Sequence, residues 1–120
     1  MTEYMVILHR SEERAATLSA TEFTAARAAH DAFQRHCADN DWPISSGAPL
    51  APAVRARSLR PDGRGGLAVT DGPYSETAEQ VGGYYMVSAP SLDALTAATG
   101  PLVLNGEHVE IRPTDRETYQ

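Results

Sequence analysis

Tyr4 to His9 reads YMVILH, an unbroken apolar run that is partly β-branched, and it predicts a buried strand. From Arg10 to Ala20 the chain turns polar and mixed, as a loop or a short helical turn does. Thr21 then opens the clearest helical pattern. Its hydroxyl suits an N-cap, and Glu22 suits the positive end of the helix dipole. The run to about Asp39 is rich in Ala and free of Gly and Pro. Phe23, Ala26, His30, Phe33 and Cys37 recur at spacings of three and four, so they form one stripe. Arg27, Asp31, Gln34 and Arg35 lie off it, towards water. Asn40-Asp41 ends the helix, and Trp42-Pro43 forbids its continuation.

Ile44 to Leu50 is a second strand, and Pro49 and Pro52 make it an edge or bulged one. Between about 53 and 70 the chain reads as an exposed hairpin, with Pro61-Asp62-Gly63 as its turn. Asp71 to Gly83 is a loop with one helical turn around Glu76 to Gln80. Gly83 to Ser88, GYYMVS, predicts a central strand. Ser91 caps a short helix from Leu92 to Thr99 that Gly100-Pro101 stops. Glu107 to Arg112 alternates as a final strand closed by Pro113, and 114–120 form a polar tail.

Setting the hairpin aside, the order is βαββαβ, a ferredoxin-like α+β sandwich within one domain spanning 1–120. Both helices would cover one face of the sheet. The other face mixes Tyr and Met with His108 and Glu110, neither fully apolar nor fully polar. A second copy packed on it, giving a homodimer of the dimeric α+β barrel type, is the expected solution.

Composition narrows the chemistry. The net charge of −6 argues against direct nucleic-acid binding, which needs a basic stripe. The densest basic stretch, Arg55, Arg57, Arg60 and Arg64, falls on the hairpin. There it is either a solvated surface or an anion-holding patch. All ten basic residues are Arg, so lysine Schiff-base chemistry and a P-loop lysine are excluded. The same bias suggests a GC-rich bacterial genome. Cys37 is the only cysteine, which leaves no intrachain disulfide or cysteine zinc cluster. No signal peptide is legible, and no apolar run approaches the roughly 20 residues of a membrane helix. A cytoplasmic protein without membrane contact, cofactor or metal is the simplest expectation.

Two positions carry candidate chemistry. His30 sits on the apolar stripe, where an imidazole needs partners for its nitrogens. It is either a satisfied core histidine or a general base whose tautomer a carboxylate fixes. Asp71-Gly72-Pro73 is a turn sequence. Its sequel exceeds what a turn needs, with Tyr74, Glu76 and Glu79 followed by the paired glycines Gly82 and Gly83. His9, His108 and Glu110 have no diagnostic metal spacing. Cys37 reads as a core filler.

The run DGPYSETAEQVGGYYMV resembles the hallmark of the DGPF group within the YCII-related family. YMVILHR resembles that family's first strand, Gly47 to Pro52 its GxxLxP segment, and VEIRP its last strand. The resemblance implies a ferredoxin-like fold, commonly dimeric, with a characteristic histidine and aspartate hinting at enzymatic function. Carried over, these fall on His30 and Asp71. Tyr74, Glu76 and Tyr85 are then the expected ligand-binding residues, and Gly72, Pro73, Gly82 and Gly83 the structural motif. Ala78 departs from the family's usual Lys. Group members occur beside sigma-factor-like regions, which implies the alternative of a non-catalytic module partnered with a sigma-factor-type regulator.

Overall fold

A computed structural model describes residues 1–104 and 106–119. Its principal sheet has four antiparallel strands in the order β2-β5-β1-β6. These are β1 (Thr2–Ser11), β2 (Ile44–Pro49), β5 (Glu79–Ala89) and β6 (His108–Pro113). β1 and β2 each pair antiparallel to β5 and therefore run parallel to one another, with β5 between them. The long helix α2 (Ala20–Asp39) makes that crossover, preceded by the short α1 (Glu12–Ala16). α3 (Leu92–Ala98) and α4 (Gly100–Leu104) connect β5 to β6, and α5 (Arg116–Tyr119) follows the last strand. β3 (Arg57–Pro61) and β4 (Leu67–Asp71) form a separate two-stranded sheet. The fold class is thus α+β, as the hydropathy pattern indicates.

Alternation explains the core. Tyr4, Val6 and Leu8 of β1 and Tyr85, Val87 and Ala89 of β5 point to one face. Ala29, Phe33 and Cys37 of α2 pack on them, with Leu95, Ala98 and Leu102 from the two short helices. The opposite face carries Met5 beside Met86 and Ile7 beside Tyr84, and contributes nothing to the buried core. Among the described residues no helix is long and apolar enough to cross a membrane.

Several local expectations are corrected. α2 begins at Ala20, one residue before Thr21, because Ser19 is its N-cap. The Ser19 hydroxyl accepts from Glu22 N–H at 3.1 Å, while the Glu22 carboxylate accepts from Ser19 N–H at 3.2 Å. This reciprocal box satisfies two otherwise orphaned donors, which Thr21 cannot do. The α2 stripe is also divided. Phe33 and Cys37 are buried, whereas Phe23 is 59% exposed and Ala26 and His30 are half-buried. No helical turn forms at Glu76 to Gln80, because β5 already begins at Glu79 against Ser11. α3 does end ahead of Gly100-Pro101, at Ala98, but the same two residues open the unexpected α4, since proline is well accommodated in a helix's first turn.

The hairpin stands away from the main body. The radius of gyration is 16.6 Å, against about 13.6 Å for a compact domain of this length. Leu59, Leu67 and Val69 remain exposed on it. An isolated two-stranded sheet is only marginally stable, so its base needs anchoring. Gly72 N–H donates to Ala56 O at 2.7 Å, the Ser58 hydroxyl donates to Gly72 O at 2.8 Å, and Arg57 pairs with Asp71 at 3.2 Å. Gly72 has φ 115°, a conformation that a side chain would strain.

Candidate functional site

His30 and Gln34 are one helical turn apart on α2, so both side chains reach the same neighbour. That neighbour is Tyr85, which the alternation of β5 turns towards the helix. Gln34 Nε2 donates to the Tyr85 hydroxyl oxygen at 3.0 Å, and the same oxygen lies 2.7 Å from His30 Nδ1. On the other side of the ring, His30 Nε2 meets Glu107 Oε1 at 2.5 Å. Glu107 stands just ahead of β6 and has only 12% of its side chain exposed, against 24% for His30.

The donor inventory orders these bonds. A carboxylate only accepts, so Nε2 carries the hydrogen given to Glu107. In a neutral ring Nδ1 then accepts, and Tyr85 O–H donates to it. Protonating His30 makes both nitrogens donors and frees the Tyr85 hydroxyl hydrogen to turn elsewhere. Burial pushes the Tyr85 phenol above its ordinary range; the Gln34 hydrogen bond opposes this, and the negative charges of Glu107 and Asp31 add to it. Tyr85 is therefore a phenol, not a phenolate, under ordinary conditions.

These groups open onto a cavity of about 480 Å³, a size typical of small-molecule sites. Leu8, Leu18, Phe23 and Pro49 supply apolar wall, and Arg10, Arg27 and Asp31 supply charge. Arg10 extends the inward-facing series Tyr4, Val6, Leu8 of β1, where the pattern calls for an apolar residue. It lies on Gly82 and donates to the Gly82 carbonyl at 2.6 Å. A Cβ at Gly82 would fall 2.1 Å from Arg10 Nε, so glycine is required for the guanidinium to lie there. The β1–β5 register slips at this point: Leu8 faces Gly83 and His9 faces Val81. Such a bulge re-aims side chains beside functional sites.

The other sequence candidates lie elsewhere. Asp71 has 79% of its side chain exposed and is paired to Arg57, so neither ring nitrogen of His30 meets it within the chain. Asp71, Gly72, Pro73 and Glu76 line a second hollow, of about 480 Å³, together with Glu12 and Glu13. The two hollows share no lining residue among those described. Tyr74 is exposed, with the Arg60 guanidinium 4.3 Å from its ring centre and donating to its carbonyl. Tyr85 is the expected ligand-binding residue that the fold does place beside His30.

Glu107, Gln34 and Arg10 are site residues that sequence reasoning passed over. Glu107 read as the first residue of an alternating strand, Gln34 as part of a solvated face and Arg10 as the start of a loop. For Arg10 the signal was its even spacing after Leu8. For Gln34 it was the i, i+4 relation to His30.

His9 pairs with Glu110 at 3.0 Å and His108 with Glu79 at 2.7 Å. Among the described residues no group of three His, Cys, Asp or Glu side chains is placed to hold a metal ion. The sequence profile of the YCII-related domain matches residues 2–115, nearly the whole chain. No curated protein sequence matches it.

Proposed function

The chain belongs to the YCII-related domain family, and on that premise we propose that it binds a small molecule beside His30 and moves a proton on it. The observation that carries this reading is the continuous relay from Gln34 through Tyr85 and His30 to Glu107 at the wall of the cavity. A proton leaving the ligand passes to the Tyr85 oxygen as the proton of Tyr85 passes to His30 Nδ1. The imidazolium that forms donates at both nitrogens, and Glu107 neutralises it. Gln34 holds the phenol oxygen while negative charge develops on it. Run backwards, the same chain delivers a proton. The relay runs through Glu107, and Asp71 has its part in the hairpin base.

The DGPY and GGYY runs support placement in the DGPF group. The strand order supports a ferredoxin-like sandwich. A second copy covering Met5, Ile7, Tyr84 and Met86 is supported by the absence of those side chains from the core.

The test is ligand-observed NMR with a library of small compounds of mixed charge, followed by solvent-deuterium incorporation into those that bind. Tyr85→Phe and His30→Ala are expected to slow exchange by about 10²–10⁴-fold. A library in which nothing shifts the His30 or Tyr85 signals would overturn the reading.

A further inference from the structure

We infer that Arg10, laid across Gly82, holds the anionic group of the bound molecule, and that this molecule is a small monocarboxylate with an apolar body. The inference rests on the cavity beside His30 being a ligand site. It adds the class of ligand and the residue that selects it.

Arg10 has five N–H donors, of which the Gly82 carbonyl takes one at 2.6 Å. Among the described residues no carboxylate forms an ion pair with it, although Glu107 and Asp31 border the same cavity. Glu107 is instead committed to His30 at 2.5 Å. A half-buried guanidinium with unused donors is suited to a planar carboxylate, which it can grip with two parallel bonds.

The seat of Arg10 is built in two ways. The register slip leaves Gly82 without a β1 partner, and the missing side chain of Gly82 lets the guanidinium lie on the backbone. Arg27 also lines the cavity, from the more exposed surface of α2, with Asp31 one turn further on. Arg10 and Arg27 are offset by Asp31 and Glu107, so the positive charge of the cavity is local to Arg10 and suits a ligand of one negative charge better than a dianion. A dianion such as phosphate would meet repulsion from Glu107 and Asp31. Leu8, Leu18, Phe23 and Pro49 suit an apolar remainder.

The test uses the full chain and two probes of matched shape, benzoate and benzamide, titrated at low salt while the His30 and Tyr85 signals are followed by NMR. Benzoate is expected to shift them, and benzamide to bind about tenfold or more weakly. Arg10→Gln should remove that preference, and Gly82→Val, which displaces the guanidinium, should do the same. Arg27→Gln should leave most of it, and inorganic phosphate should not compete. Equal binding of both probes, or benzoate binding unchanged in Arg10→Gln, overturns the assignment of Arg10 while leaving the relay as a ligand site. Failure of any compound, charged or neutral, to reach His30 and Tyr85 overturns both.

Discussion

The His30 ring and the Glu107 carboxylate lie 2.5 Å apart although 77 residues separate them along the chain. The contact joins the middle of α2 to the entry of β6 and fixes which nitrogen of His30 carries hydrogen. For the neutral ring, long-range ¹H–¹⁵N spectra are expected to show hydrogen on Nε2 and a bare Nδ1. Glu107→Ala should mix the tautomers and lower stability by about 1 kcal/mol, since the pair is partly open to water. An unchanged tautomer in that variant counts against Glu107 as the orienting group.

Tyr85→Phe keeps the ring that packs against Phe33, whose centre is 5.0 Å away, and removes only the hydroxyl. It leaves His30 Nδ1 and Gln34 Nε2 without their shared partner. A loss of about 1–2 kcal/mol is expected in urea unfolding, with an unchanged slope.

Burial raises the Tyr85 phenol above its ordinary value of 10.0. The folded state then holds this proton more tightly than the unfolded chain. The stability it contributes is complete below the ordinary tyrosine value and is lost as pH rises through the folded one. Absorbance near 295 nm should show one phenol ionising last, with unfolding. That late step should be missing in Tyr85→Phe.

Cys37 is fully buried on α2, and burial pushes its thiol up as well. Native protein is expected to resist an aromatic disulfide reagent, with reaction only as fast as the chain unfolds. Prompt labelling under native conditions would contradict the packing of α2 on the sheet.

The open sheet face makes a separate prediction. A second copy over Met5, Ile7, Tyr84 and Met86 should give a dimer in light-scattering mass measurements. Ile7→Glu or Met86→Glu should convert it to monomer with the helical signal intact. A monomeric wild type at micromolar concentration removes the proposed dimer.

Much of the fold was legible in local pattern. The unbroken apolar run Tyr4 to His9, the three- and four-residue spacings along α2 and the alternation in EHVEIR each mark the type of their element. The Ser91 cap was legible in the sequence alone; the start of α2 was not, because Thr21 also suits an N-cap and only the reciprocal Ser19–Glu22 bonds distinguish the true one. The DGPY run was legible as special, and its special backbone is real, since Gly72 adopts φ 115°. What that loop does in the fold is to tie the hairpin to the body.

By itself the sequence determined the types of the main strands and of the long helix and the odd position of His30, because all of these follow from composition and spacings within a few residues. Which carboxylate serves His30 depends on how α2 crosses the sheet and where β6 begins. Those are long-range outcomes of packing, and no local period encodes them. Asp71 is near His30 only in the logic of chemistry, whereas the antiparallel register of the hairpin sets it against Arg57. Arg10 became a site residue for the same kind of reason. A one-residue slip between β1 and β5 opened a place over Gly82, and only two strands held side by side can have a register to slip.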